Sequence, residues 1–446
     1  MHADTPRSSR TPARPAGWPS ARTHVRPAGW PSARTLRGAA LGALAVGLLS
    51  ACGGTPTPAP TTATAPAARA PDQRWHERAI SSYLQGDLAY AQTAAASALQ
   101  LDPGDVRARE VAARTALARL DPERALTVLA DAREPLLVRL RARAHLARGD
   151  VRAADADLAS VSGQPPEDAW ALAAESALHA TASAPVAYAL SGAAEATLAF
   201  DAREPGALAT IPIDVDGRRV NALISTAAGL TLVDDAISQR GMRIGRLALG
   251  GLVVEGVPAL ARDLADVSGA AGREIGAVIG ADLLLRLHAT LDGPGRAATF
   301  RAQAVTPAAD GLVRLDLHAF EGTLLAVPVG LGAAPEAFFA LDTSAALPVA
   351  LTPRAARAEG VGARALPTPP GAPEGVSLVA LPALHFRGAV IEDVPALVGV
   401  VPDSLARVAG TRIDGLLGLH FFDQVVVTFL PEERTLVLAG PTSPTP

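Results

Sequence analysis

The second half of this chain is written twice. Ala222-Leu223-Ile224-Ser225-Thr226-Ala227-Ala228 matches Phe339-Ala340-Leu341-Asp342-Thr343-Ser344-Ala345, and Ala277 to Leu284 matches Gly415 to Phe422. From there the two copies run in register without gaps to Phe300 and Leu438, so that Thr290 falls on Thr428 and Arg296 on Arg434. Gly250 to Pro258 corresponds more loosely to Phe386 to Pro395. Whatever one copy folds into, the other must fold into as well. Alternating apolar residues broken by Gly and Pro make both copies β-rich. Ile211 to Arg218 reads as a strand entering a turn, and Arg219 to Ile224 as the returning strand.

Ahead of the duplication, residues 72–182 carry a helical pattern with short breaks. Three segments in it look alike, beginning at Gly86-Asp87-Leu88, Leu120-Asp121-Pro122 and Gly149-Asp150-Val151. Their spacing, and the Leu101-Asp102-Pro103 that closes the first, resemble degenerate tetratricopeptide repeats. Such units are paired helices packed through small residues and stacked into a short solenoid. The stack is read either as a groove for a partner or as a spacer carrying the β-rich half.

The N-terminal segment has a different character. Gly38 to Ala51 is an uncharged run of small and apolar residues behind Arg34 and Arg37, the pattern of a signal peptide and too short to span a bilayer comfortably. It ends in Leu49-Ser50-Ala51-Cys52, which resembles the lipobox of bacterial lipoproteins. That resemblance implies acylation of Cys52, the only cysteine, and a membrane-anchored protein. By resemblance to the sorting rules of Gram-negative lipoproteins, Gly53 after it, in place of aspartate, implies the outer membrane, facing the periplasm. Residues 53–71 form a Pro/Thr/Ala linker, a spacer between lipid and fold. Upstream, RPAGWPSART occurs twice, at Arg14–Thr23 and Arg26–Thr35, in a stretch too polar and Pro-rich to fold; the true start is expected downstream of Met1.

Within the duplication, the apolar strand ending in Leu341-Asp342-Thr343-Ser344-Ala345, followed later by Leu416-Leu417-Gly418, resembles a lobe of the retropepsin-like and pepsin-like aspartic peptidases. The likeness covers residues 185–440, with one lobe at 185–305 and the next at 306–440. The fold class expected is therefore multidomain, α plus all-β: a short helical array, then two homologous closed-barrel-like lobes. In that family each lobe gives one aspartate, and the two carboxylates share a proton across a twofold or pseudo-twofold axis. The ionised one takes a proton from a water while the other donates to the scissile carbonyl. The following threonines bond across the axis, and the glycine leaves room for substrate. The resemblance implies an extended polypeptide as substrate or a protein as partner.

This sequence departs from the pattern. The second lobe keeps Asp342 and Thr343 but has Ser344 for glycine. The first keeps Thr226 but has Ser225 for aspartate and Ala227 for glycine. A serine hydroxyl is no carboxylate base, so Asp342 facing Ser225 predicts little peptidase activity. Two alternatives stay open. Two chains could pair their second lobes as a homodimer, joining two copies of Asp342, or Asp342 could be a structural acceptor capped by Thr343 and backbone amides. Elsewhere, Asp234-Asp235 read as a helix start and Asp414 as a turn cap. His288, His318, His385 and His420 lack ligand spacing, and one cysteine excludes a Cys-clustered zinc site. No Gly-x-Ser-x-Gly, P-loop or dinucleotide fingerprint is present, so no metal and no cofactor is expected. The net charge of -4 argues against nucleic-acid binding.

Overall fold

The computed structural model describes residues 23–24, 71–165, 169–184, 186–201, 208–238, 243–305, 312–367 and 373–440. Cys52, the apolar run before it and the linker to Ala70 lie outside the described residues. Thr23 and His24 pair in parallel with Ala389 and Val390, so the polar N-terminal stretch is not wholly without structure.

Among the described residues seven helices precede the β-rich half: α1 Pro71–Gln85, α2 Leu88–Leu101, α3 Val106–Ala118, α4 Pro122–Val128, α5 Pro135–Arg148, α6 Val151–Ser160 and α7 Ala169–Ala182. Aspartates set their starts. Asp87, Asp105, Asp121 and Asp150 accept backbone N–H groups at the first turns of α2, α3, α4 and α6, satisfying donors that the helix itself cannot. Gly149, with φ of 88°, ends α5 in the left-handed conformation. Short connections fold consecutive helices against one another, and alanines such as Ala91, Ala94, Ala98, Ala113 and Ala116 are buried between them. Small side chains let the axes approach closely.

The helices are not a detached spacer. Tyr83 and Leu88 share one apolar core with Phe320, Leu324 and Leu347 of the second lobe. Leu146, Leu158 and Leu178 share another with Ile211, Val254 and Leu284 of the first. The Tyr83 hydroxyl donates to the Ala409 carbonyl at 3.2 Å, and the Arg412 amide to the Leu84 carbonyl at 3.2 Å. Buried Glu321 is ion-paired to Arg114 of α3 and, at 3.3 Å, to Arg143 of α5.

The duplication is visible in the strand pairing. In the first copy Ala277–Ile279 lies parallel to Ala222–Ile224. In the second Gly415–Gly418 lies parallel to Phe339–Asp342. Each copy contributes a sheet of its own, one of eight strands and one of nine counting Thr23–His24. The closing strands of the two copies come together in a third sheet. Glu195–Ala199, Thr290–Asp292 and Ala297–Arg301 of the first copy join Leu312–Asp316, Val426–Leu430 and Thr435–Ala439 of the second in one six-stranded sheet. At its centre Thr290 pairs antiparallel with Thr428, its own duplicate, and their Oγ1 atoms are 3.0 Å apart. A residue that faces its own equivalent lies on a local twofold axis.

Candidate active site

The loops after Ile224 and Leu341 meet on that axis. Each leaves a buried apolar strand and turns at once, because the strand of the Ile-Gly or Leu-Gly pair runs beside it. Glycine is required at both crossings. A Cβ on Gly280 would stand 2.7 Å from the Leu230 backbone, and one on Gly418 would stand 2.2 Å from the Leu347 carbonyl oxygen.

Thr226 and Thr343 exchange hydrogen bonds. The Thr226 amide donates to Thr343 Oγ1 and the Thr343 amide to Thr226 Oγ1, each at 3.1 Å. Thr343 Oγ1 also donates to the Ile224 carbonyl at 2.8 Å. The expected threonine lock is therefore present within one chain, and it brings Ser225 and Asp342 to the same point.

Between those two residues stands Ser344. Its amide and its hydroxyl both donate to Asp342 Oδ1, at 2.9 and 2.5 Å, and its Oγ lies 3.3 Å from the Ser225 hydroxyl, which donates to it. The side chain that replaces glycine thus occupies the space beside the carboxylate on the side of the opposite lobe. Ser225, Thr226, Asp342, Thr343 and Ser344 are all buried, with Asp342 only 4% exposed. Burial pushes the Asp342 carboxyl above the usual carboxylate range, and the Ser344 hydroxyl and amide partly offset it. Ala227, 8% exposed, adds a methyl group at the opposite glycine position. Chemically the pair is one acid and one alcohol with a second alcohol between them. It can hold a proton on Asp342 but offers no second carboxylate to share it.

Other residues singled out from sequence lie elsewhere. Asp234 ends the strand Leu232–Asp234 and accepts the Ala236 and Leu264 amides at 2.9 and 3.2 Å. Asp235 follows in a single turn, in which the Ile237 and Ser238 amides donate to the Asp234 carbonyl at 2.9 and 3.1 Å, and no helix continues from it among the described residues. Asp414 is no turn cap. It is 1% exposed, held by Arg354 at 2.9 Å and Arg412 at 2.6 Å, because its backbone is already engaged with Phe338 and Thr352. His288 is buried 3.3 Å from Glu432, and His385 sits in the strand Ser377–Phe386. His318 packs on Phe320 and Phe338, where burial lowers its pKa to about 4. His420 lies in the helix Leu419–Phe422, and burial lowers its pKa too. None of the four reaches Asp342.

Sequence reasoning missed a second buried acid. Asp282, at the start of the helix Ala281–Arg286, accepts the Tyr188 hydroxyl at 3.0 Å and the Thr231 hydroxyl at 2.9 Å. Burial pushes its carboxyl up to about 6 against those two bonds. Its signal was the Asp at the second position of that helix, after the Ile-Gly of the first lobe.

No protein-family model matches this chain, and no curated protein does. Solved structures similar to it include an aspartic proteinase from Irpex lacteus, at 12% identity and a TM-score of 0.37, covering 55% of this chain and 97% of that one. A retropepsin-like aspartic protease from Rickettsia conorii matches at 15% identity and a TM-score of 0.21, over 30% of this chain and 96% of its own. Soybean Basic 7S globulin matches at 12% identity and a TM-score of 0.33, over 55% and 94%. The duplicated strand pairs, the two glycine crossings and the reciprocal threonine exchange on one axis are features of this chain's own geometry.

Proposed function

We propose that this chain is a membrane-anchored lipoprotein of aspartic-peptidase type that binds extended polypeptide and hydrolyses it poorly or not at all. One observation carries the reading. The Ser344 hydroxyl fills the space between Asp342 and Ser225, where the resemblance calls for a water between two carboxylates. Groups that act as a unit lose nearly all their effect when one is removed. Here one carboxylate is absent and the water's place is taken. The exchange between Thr226 and Thr343 within one chain favours this pairing over a homodimer of second lobes, which would have to break it.

Binding can outlast chemistry, because an extended peptide is held by main-chain hydrogen bonds as an added strand. The helices then supply a second surface, and a non-catalytic envelope scaffold is the limiting form of the same reading. Among the described residues no helix is long and apolar enough to cross a membrane. Anchoring in this reading falls to Cys52, and Cys52→Ser should release the protein from membranes.

The test is cleavage of unfolded protein at acid pH. Wild type should be inert, and Ser225→Asp combined with Ala227→Gly and Ser344→Gly should gain cleavage that a statine-type inhibitor blocks. Wild-type cleavage as fast as that of the triple variant, blocked by the inhibitor and abolished in Asp342→Asn, would overturn the proposal.

A further inference from the structure

A cavity of about 510 Å³ lies where α3, α5 and α7 meet both lobes, away from Asp342. Leu117, Leu146, Leu230 and Leu285 with Trp170 and Tyr188 form the apolar part of its wall, beside several charged side chains. Apolar walls with a few placed polar groups are what small-molecule sites are made of.

The charges around it are unequal in their engagement. Of the carboxylates of the lining, Glu321 is buried and paired with Arg114 and Arg143, while Glu123, 3.6 Å from Arg148, and Glu432, 3.3 Å from His288, are largely exposed to solvent. Asp282 spends its oxygens on the Tyr188 and Thr231 hydroxyls. Arg286 differs. Its guanidinium lies 4.1 Å from the centre of the Tyr188 ring and donates to the Leu146 and Ala147 carbonyls, at 2.5 and 3.3 Å. Among the described residues it makes no ion pair within 4.0 Å, although its charge reaches the Asp282 carboxylate and favours that group's ionised form. Stacking on the ring and bonding to two carbonyls fixes the plane of the fork without using a carboxylate, and a planar fork is suited to receive one.

We propose that this cavity binds an apolar molecule through its carboxylate, with Arg286 taking the carboxylate and the leucines enclosing the apolar body. The same chemistry is presented by the carboxyl terminus of a polypeptide ending in an apolar residue and by a free apolar carboxylic acid. Neither Ser225 nor Asp342 lines the cavity, although Gly229, in its wall, continues the Ser225 loop, and a Cβ there would stand 2.5 Å from Thr323 of the second lobe.

The experiment is calorimetric titration of the purified full chain with N-acetyl-leucyl-leucine, its C-terminal amide, and octanoate. The acid should bind, the amide should bind about tenfold more weakly or worse, and Arg286→Met should impose a similar loss. Leu285→Trp, which fills the cavity and leaves every charge in place, should abolish binding. Octanoate binding as tightly as the peptide acid would assign the site to free acids, and weaker binding would assign it to chain ends. The proposal fails if neither carboxylate binds at millimolar concentration, if acid and amide bind alike, or if Leu285→Trp binds as wild type does.

Discussion

Thr343→Val keeps the volume and the β-branched shape of the side chain and removes one hydroxyl. That hydroxyl donates to the Ile224 carbonyl and accepts the Thr226 amide, at 2.8 and 3.1 Å. Ile224 and Thr226 are both fully enclosed, so neither backbone group can turn to water instead. A buried group left without a partner costs about 1–3 kcal/mol, which for two groups gives roughly 2–6 kcal/mol. Against a typical stability of about 5–15 kcal/mol that is a large fraction. Thr343→Ser is the control: it keeps both bonds and loses one methyl, about 1 kcal/mol. Equilibrium urea unfolding of the full chain measures both. The valine variant should unfold at clearly lower denaturant than the serine variant. Equal midpoints for the two would show that the hydroxyl does not join the lobes, and the axis drawn through Thr226 and Thr343 would be wrong.

Two further outcomes follow from the buried charges. Glu321→Ala strips the carboxylate from Arg114 and Arg143 and should destabilise the chain by about 3–5 kcal/mol in the same unfolding assay, with Glu321→Gln losing less; a loss below about 1 kcal/mol would mean the helices are not held to the second lobe there. For Asp342 the pKa is raised on folding, so the native state binds its proton more tightly than the unfolded chain does. Wild type should therefore lose stability as pH rises from the ordinary carboxylate range through the raised native value, and Asp342→Asn should lose less, since the Asp282 and Asp423 carboxyls, each pushed up to about 6, still titrate there. The difference in urea midpoint in favour of Asn should open across that window and stay level above it, and a difference that grows toward acid pH would refute the assignment.

The duplication made much of this fold readable. The pairing of Ala222–Ala228 with Phe339–Ala345 located both loops, and the match of Thr290 with Thr428 lay on the page before the structure made those residues neighbours. Local alternation could not say that the last strands of each copy would leave their own lobe for a shared sheet, because partner choice between strands is a tertiary matter. Ser344 was legible as a departure from glycine, but its position over Asp342 depends on a rotamer that no spacing encodes. Glu321 and Asp282 were invisible for a related reason. A lone acid in a sequence becomes a buried one only when distant residues, such as Arg114, Arg143 and Tyr188, are folded over it. The aspartates that cap α2, α3, α4 and α6 act within one turn, so nothing distant has to fold over them.

A symmetric machine built from two identical chains must change both halves at once, since one gene writes both. Here the two halves are covalently joined and separately encoded, held to each other by the threonine exchange and the common sheet. One side can then be rewritten while the other is left alone. Ser225 opposite Asp342 is a difference of that one-sided kind: the scaffold obeys the twofold, and the residues at its centre do not.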